Sequence, residues 1–242
     1  MGPSLMGVGV GPGDPGLMTL KALSVLRQAD RVVAPTTAVD AVGRAESIVH
    51  QVAPEIAVER LVFAVSADAA ALRAAHHTAA ERVLACLERG ERVAFVTIGD
   101  PNVYSTFHHL AALVVERRPG TAVETVPGIM AFQDVAARTG TVLVDGSERL
   151  QLVSAVAGPE AVDRALADPD AAVVVYKGGR HIPAIAERLA AAGRLDGAVL
   201  GELLGLPGER LAPVAEVAAG PAAYLATVLV PPRRDPGGAS LR

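Results

Sequence analysis

The sequence has little cysteine, few aromatic residues and no tryptophan. Cys86 is the single cysteine among 242 residues, so no internal disulfide can form and we expect a reducing, cytoplasmic environment. Its position on a predicted helix face favours a packing role over a catalytic one. Aromatic residues make up 3% of the chain, and the abundant alanine and valine are typical of helices packed tightly on a sheet.

Long apolar runs and an excess of positive charge are also missing. Apolar stretches such as residues 171–176 are far shorter than the roughly 20 residues that a membrane-spanning helix needs. The N-terminus does not have the pattern of a secretion signal. A net charge of −4 argues against broad nucleic-acid binding. We therefore expect neither a membrane nor a nucleic acid as partner.

What the chain does contain is an alternation of strand-like and helical segments. The composition, 51% apolar and 20% charged, is that of a globular protein. The alternation predicts an α/β fold in which at least part of the sheet is parallel. Strands are expected at 4–11, 31–35, 91–98, 171–176 and 222–232, and helices at 19–30, 70–90 and 103–116.

The best candidate for a domain boundary is the charged segment with Pro-Gly at residues 116–121. It separates two apolar blocks of similar length. We therefore expect an N-terminal α/β domain over residues 1–118, a C-terminal α/β domain over 119–233, and a flexible tail over 234–242.

Unusual turns follow four of the predicted strands. They cover residues 7–16, 98–106, 126–131 and 176–180. Ligands of open α/β sheets bind outside the carboxyl ends of the strands, where such turns gather. Glycine and proline also occur in purely structural turns, but four of them in one chain favour a binding site.

The first turn matches the dinucleotide pattern G-x-G-x-x-G over residues 11–16. That pattern works by directing backbone N–H groups and a helix N-terminus at a pyrophosphate. Here Pro12 and Pro15 have no N–H group, and Asp14 adds negative charge. The loop is therefore a poor site for NAD or a nucleotide triphosphate, which stays a lesser alternative.

The second turn places Asp100 after Gly99, at the tip of a buried strand. Glycine allows close approach of a ligand, and a carboxylate accepts hydrogen bonds from hydroxyl or cationic groups. S-adenosylmethionine has a ribose diol, an ammonium and a sulfonium and lacks phosphate, so it suits this turn. A helix N-cap is the alternative role of Asp100.

The residues suggest no metal site. His76-His77 and His108-His109 are adjacent pairs, and adjacent residues do not share one face of a helix. We interpret them as solvated surface histidines. His108 and His109 follow the hydroxyl cluster at 104–106, so a role near substrate carboxylates stays open for them.

Four segments together resemble the tetrapyrrole methylases of cobalamin biosynthesis. They are VGVGPGDPGLMTLKA, IGDPNVYSTFHHL, VPGIMAFQDVAARTG and VYKGGR, in this order. The GDP-x-x-YSTF form resembles the branch that methylates C20 of precorrin-2 or cobalt-factor II. The resemblance covers about residues 5 to 232 and implies a two-domain α/β fold with the active-site cleft between the domains.

The resemblance also implies which residues hold the methyl donor, S-adenosylmethionine. Pro12 would line the cofactor and substrate trough, and Leu204 would lie against the adenine. The remaining implied contacts are Gly99, Asp100, Val103, Tyr104, Ser105, Thr106, Met130, Ala131 and Lys177. Of these, Asp100 and Tyr104 are the candidates for positioning or polarising groups at the reaction centre.

The implied reaction needs neither a metal nor a covalent intermediate, because a sulfonium methyl is already activated. The implied partners are an anionic tetrapyrrole, precorrin-2 or cobalt-factor II, and a second copy of the chain in a homodimer. Candidates for binding substrate carboxylates are Lys21, Arg117, Arg118, Arg138 and Arg180. Alternatives are another tetrapyrrole methylase, acting on uroporphyrinogen III or a later corrinoid, and a non-catalytic module that binds adenosine-type ligands.

Overall fold

A computed structural model describes residues 2–63 and 69–234, which form two compact units. The first unit is a parallel sheet with helices on both faces. Its elements are β1 (Ser4–Gly9), α1 (Leu20–Gln28), β2 (Arg31–Thr36), α2 (Arg44–Val52), β3 (Val58–Val62), α3 (Ala69–Glu88), β4 (Arg92–Thr97), α4 (Phe107–Arg117) and β5 (Ala122–Val126). All five strands are parallel in the order β3-β2-β4-β1-β5, so β4, β1 and β5 are neighbours.

The second unit has a mixed sheet. Its elements are α5 (Ala131–Thr139), β6 (Arg149–Ser154), α6 (Pro159–Leu166), β7 (Ala171–Tyr176), α7 (Ile182–Ala191), β8 (Val199–Glu202), β9 (Arg210–Pro213), α8 (Val214–Val217) and β10 (Thr227–Val230). The strand order is β6-β7-β10-β8-β9. β6 and β7 are parallel, whereas β10 runs antiparallel to both of its neighbours, β7 and β8.

The boundary between the units differs from the one expected from the sequence. The units are Met1–Met130 and Ala131–Arg242, whereas the charged segment at 116–121 placed the boundary after residue 118. The reason is that β5 follows this segment and pairs with β1, so it completes the first sheet. Of the tail expected at 234–242, residues 235–242 lie outside the described part of the chain.

The first unit has a core on each face of its sheet. Phe95 and Phe107 belong to the core under α3 and α4, and Val8 and Ile48 to the core under α1 and α2. Full burial of such side chains contributes about 1.5–3 kcal/mol each. Cys86 is fully buried in the first of these cores, and burial raises the pKa of its thiol. The predicted packing role of Cys86 is confirmed.

The start of α4 differs from the sequence expectation. The pattern predicted a helix from residue 103, but the helix begins at Phe107 with Thr106 as its N-cap residue. Tyr104 has a left-handed backbone, with φ of +50°, and the Ser105 hydroxyl accepts a hydrogen bond from the Phe107 N–H at 3.1 Å. The alternative role of Asp100 as a helix cap is therefore wrong.

A partly buried ion pair holds the loop that follows β2. The Glu46 carboxylate accepts hydrogen bonds from the Arg60 guanidinium at 2.8 and 2.9 Å and from the Gly43 N–H at 3.3 Å. Arg60 also donates to the Val39 carbonyl oxygen at 2.9 Å. Glu46 is 2% exposed, and the Arg60 guanidinium lowers the pKa of this carboxyl.

Within the described ranges, 2–63 and 69–234, every helix is too short or too polar to cross a membrane.

Candidate functional site

Three of the turns singled out from the sequence meet at one edge of the first sheet. They follow β1, β4 and β5, which are adjacent parallel strands and therefore end on the same side. The Gly99 N–H donates to the Gly11 carbonyl oxygen at 2.9 Å, and the Val10 N–H donates to the Thr97 carbonyl oxygen at 3.0 Å. The turns after β1 and β4 are therefore joined through their backbones.

Glycine allows these turns to approach one another closely. A Cβ atom on Gly9 would lie 2.4 Å from the Gly99 oxygen, and one on Gly128 would lie 2.0 Å from the same oxygen. Gly99 needs glycine for another reason, because its φ of +65° is left-handed. A Cβ at Gly99 would meet nothing nearer than the Met130 Cα atom at 4.0 Å. Gly9 and Gly128 therefore pack against backbone, while Gly99 has space beside it.

The carboxylate of Asp100 connects the turn after β4 with the turn after β5. Its Oδ1 accepts a hydrogen bond from the Asn102 N–H at 2.8 Å, and its Oδ2 accepts one from the Gly128 N–H at 3.1 Å. The Asn102 side chain adds a second connection, donating to the Thr125 hydroxyl at 3.1 Å. Each carboxylate oxygen has a further lone pair for a ligand donor. Asp100 thus shapes the site whether or not it also touches a ligand.

The segment from Val103 to Thr106 lies directly beside this turn. Tyr104 is 44% exposed, whereas Ser105 is buried and its hydroxyl is 3.1 Å from the Thr97 hydroxyl. Val103 and Thr106 are half-buried. Tyr104 thus presents a phenol ring at the surface of the turn, while Ser105 fixes the start of α4 from inside.

The loop after β1 uses several of its N–H groups for hydrogen bonds within the loop. Pro12 is buried, and Asp14 accepts hydrogen bonds from the Gly16 N–H through Oδ1 at 2.7 Å and from the Leu17 N–H through its carbonyl at 3.0 Å. Residues Pro15–Leu17 form a short 3₁₀ helix rather than the start of an α-helix. Pro12 and Pro15 supply no N–H group, and the Gly16 and Leu17 N–H groups are engaged by Asp14, which disfavours the dinucleotide alternative.

In the second unit the predicted residues Lys177 and Leu204 lie after β7 and β8, at the edge where these two strands end. Lys177 and Leu203 have left-handed backbones, with φ of +58° and +51°. Outside glycine this conformation costs about 1–2 kcal/mol, and such residues concentrate at functional sites. Leu204 is 5% exposed, and Ala131 is the first residue of α5.

Thr227, which the sequence did not single out, lies at the same edge of the second sheet. It pairs with Tyr176 of β7 and with Gly201 of β8. Its residue exposure is 1%, and within the described part of the chain its hydroxyl has no hydrogen-bond partner. An unsatisfied buried hydroxyl is costly, so this atom is a candidate for ligand contact.

Comparison with known proteins identifies the family. The family model described as Tetrapyrrole (Corrin/Porphyrin) Methylases matches residues 4–218. The chain belongs to this family. The resemblance found in the sequence and the predicted two-domain α/β fold are both confirmed.

Two relatives and one solved structure illustrate the relationship. The precorrin-2 C(20)-methyltransferase of a Sinorhizobium species is 35% identical over 96% of both chains. The cobalt-precorrin-2 C(20)-methyltransferase of Salmonella typhimurium LT2 is 32% identical over 87% of both chains. A uroporphyrin-III C-methyltransferase from Thermus thermophilus, solved with S-adenosyl homocysteine, shares the fold with a TM-score of 0.66 and 22% identity, covering 94% of this chain and 92% of its own.

Two of the basic residues predicted to bind carboxylates in this tetrapyrrole methylase already have carboxylate partners within the chain. Arg117 pairs with Glu81, and Arg138 pairs with Glu209. The Arg138 guanidinium lowers the pKa of Glu209 to about 2. Lys21 and Arg180 are exposed side chains, and Arg118 is half-buried.

Three histidines of the methylase come together although the sequence suggested solvated side chains. The ring centroids of His76 and His109 are 5.5 Å apart, and those of His108 and His109 are 3.7 Å apart. His76 is half-buried and meets the Phe63 ring edge-on at 5.2 Å. The sequence argument considered only neighbouring residues of one helix, whereas His76 lies on α3 and packs beside His108 and His109 of α4. The interpretation is therefore wrong for His76.

Across residues 2–63 and 69–234, no group of three or more His, Cys, Asp or Glu side chains is arranged to hold a metal ion.

Proposed function

We propose that the protein uses S-adenosylmethionine to methylate C20 of precorrin-2 or cobalt-factor II in cobalamin biosynthesis. The observation that carries the proposal is the 35% identity to a precorrin-2 C(20)-methyltransferase over 96% of both chains. The YSTF segment at residues 104–107, which resembles the C20 branch, supports the same substrate class.

The turns described above suit S-adenosylmethionine better than a phosphate ligand. Gly99 has space beside its Cα atom, and Asp100 retains lone pairs for hydroxyl or ammonium donors. The Thr227 hydroxyl adds a buried group that needs a partner. Residues proposed to hold the methyl donor are Pro12, Gly99, Asp100, Val103, Tyr104, Ser105, Thr106 and Met130 in the first unit, and Ala131, Lys177 and Leu204 in the second.

Catalysis in this proposal depends mainly on position. When bound, S-adenosylmethionine would supply a methyl group already activated by the sulfonium: the sulfur–methyl bond would break as an electron-rich ring carbon of the substrate takes the methyl, S-adenosylhomocysteine would leave, and the proton of that ring carbon would pass to solvent. Good alignment of two reactants can lower a barrier by about 7–11 kcal/mol. Asp100 contributes by fixing the turn, since its two hydrogen bonds hold residues 99–102 against Gly128. Tyr104 contributes a surface phenol that orients the reactants, and no side chain needs to form a covalent bond.

The test is methyl transfer with isotopically labelled S-adenosylmethionine. The protein is incubated separately with precorrin-2, cobalt-factor II and uroporphyrinogen III, and the methylated carbon is located by NMR. We expect label at C20 of one or both of the first two substrates. Label on uroporphyrinogen III alone would assign the protein to another branch of the family, and the absence of transfer to any tetrapyrrole would overturn the proposal.

The proposal includes a homodimer in the cytoplasm. A reduced, buried Cys86 is compatible with that compartment. Sedimentation velocity at micromolar protein should give a species of about twice the 24.7 kDa mass of the chain. A monomer across that concentration range would contradict this part of the proposal.

A further inference from the structure

The histidines His76, His108 and His109, here called the imidazole cluster, form a continuous group with the core of the first unit. His76 packs on Phe63, and Phe63 packs on Phe95 with their ring centroids 6.1 Å apart. At the other end, His108 and His109 are exposed. Three imidazoles are thus backed by the core and open to solvent on their outer side.

The imidazole cluster lies next to the proposed site. His108 and His109 occupy the first turn of α4, immediately after the Tyr104–Thr106 segment. The His108 Nδ1 atom lies 2.8 Å from the Ser105 carbonyl oxygen. A carbonyl oxygen only accepts, so Nδ1 is the donor and Nε2 stays available to a ligand.

The surroundings leave this cluster without a negative partner in the described chain. Charged and titratable groups on the same two helices include Arg73, His77 and Glu81 of α3 and Arg117 of α4, and Phe63 packs on His76 from the core. Glu81 pairs with Arg117, and Arg117 donates to the His77 Nδ1 atom at 3.0 Å. Burial and the neighbouring imidazoles lower the pKa values of His76 and His109. Binding of an anion beside His76 and His109 would therefore favour their protonation.

We propose that the imidazole cluster binds a peripheral carboxylate of the tetrapyrrole substrate and takes up a proton as it does so. The inference rests on the proposed function, since it assumes that a polycarboxylate ligand reaches the Tyr104–Thr106 segment. Its consequence is a substrate affinity that falls as pH rises, because the unliganded imidazoles are neutral at high pH and bind a carboxylate poorly.

The test measures binding of uroporphyrin III, a stable tetrapyrrole polycarboxylate, by fluorescence titration between about pH 6 and about pH 8. The variants are His109→Gln and His76→Gln, and the control is His50→Gln, which alters an exposed histidine of α2. We expect wild type and His50→Gln to bind more weakly as pH rises. The two cluster variants should bind about tenfold more weakly at the low end of this pH range, the change produced by about 1.4 kcal/mol, and their affinity should depend less on pH than that of the wild type.

Thermal unfolding of each variant without ligand is measured alongside its titration. His109→Gln is the decisive variant, because His109 is exposed and its replacement should not disturb folding. Cluster variants with wild-type affinity and wild-type pH dependence would overturn this inference but would not contradict the proposed methyl transfer. No binding by the wild-type protein would also overturn it, and the labelled-methyl assay then decides the proposed function separately. Binding that requires added Zn²⁺ would overturn it as well, by assigning the cluster to a metal.

Discussion

Replacing Asp100 with asparagine removes one of the two carboxylate oxygens that connect the turns after β4 and β5. An asparagine can accept from the Asn102 N–H or from the Gly128 N–H, and its amide nitrogen then faces the other donor. A hydrogen bond to a charged group contributes about 1.5–3 kcal/mol. Asp100 is half-buried, so we expect the lower part of that range, about 1.5–2 kcal/mol in the free energy of unfolding.

The measurement is thermal and urea unfolding without ligand. A loss of this size lowers Tm by roughly 3–8 °C, at about 2–4 °C per kcal/mol for a chain of this length. The matched control is Asp14→Asn, because the Gly16 N–H donates to a single oxygen of Asp14 that asparagine retains. An Asp100→Asn protein that unfolds with the wild-type free energy would show that the carboxylate does not hold the two turns together.

The same variant also tests contact with the methyl donor. If Asp100 accepts a charge-assisted hydrogen bond from S-adenosylhomocysteine, asparagine should weaken its binding by about 10- to 150-fold in titration calorimetry. Lower stability combined with wild-type affinity would restrict Asp100 to a structural role and remove it from the proposed cofactor contacts.

Gly128→Ala should lower the free energy of unfolding by at least about 3 kcal/mol, because the new Cβ atom would lie 2.0 Å from a backbone oxygen. Gly120→Ala is the control: its Cβ atom would lie in open space, so only the left-handed backbone at φ +85° would cost stability, about 1–2 kcal/mol. Glu46→Gln should destabilise the protein by about 1.5–3 kcal/mol in urea unfolding at neutral pH, because Arg60 loses a charged hydrogen-bond partner. Arg60 lowers the pKa of Glu46, so the stabilisation by the ionised Glu46 carboxylate is complete above about pH 4.5 and is lost as the pH falls below it. A Glu46→Gln protein that is destabilised equally at pH 7 and at pH 3 would contradict this role of the ion pair. Pro12→Ala should weaken S-adenosylhomocysteine binding with little change in Tm, and loss of folded protein would show a structural role instead.

The sequence predicted the buried strands well because their pattern is local. The expected strand at 91–98 is β4 (Arg92–Thr97), and the apolar run at 171–176 is β7. The two compact units divide after Met130 rather than after residue 118, because the division depends on strand pairing at long range. Nothing in residues 122–126 indicates that this strand lies beside β1 rather than in the second sheet.

The turns of the candidate site were also predictable, since glycine, proline and aspartate mark them directly. Their connections were not, because the hydrogen bond from Gly128 to Asp100 joins residues 28 positions apart. The buried hydroxyl of Thr227, unpaired among the described residues, could not be predicted from the sequence for a similar reason. A threonine in a β-rich segment is ordinary, and its lack of a hydrogen-bond partner in the described chain emerges from the packing of β7, β8 and β10.

The position of β10 in its sheet has a consequence for the order in which the chain can fold during synthesis. The first sheet has all five strands once residue 126 has left the ribosome. In the second sheet β7 and β8 are joined only through β10, which ends at Val230. Parallel and long-range pairings form slowly, and domains fold as units during translation. The N-terminal unit can therefore mature early, while the C-terminal sheet stays open until β10 has been made, about 100 residues after β5.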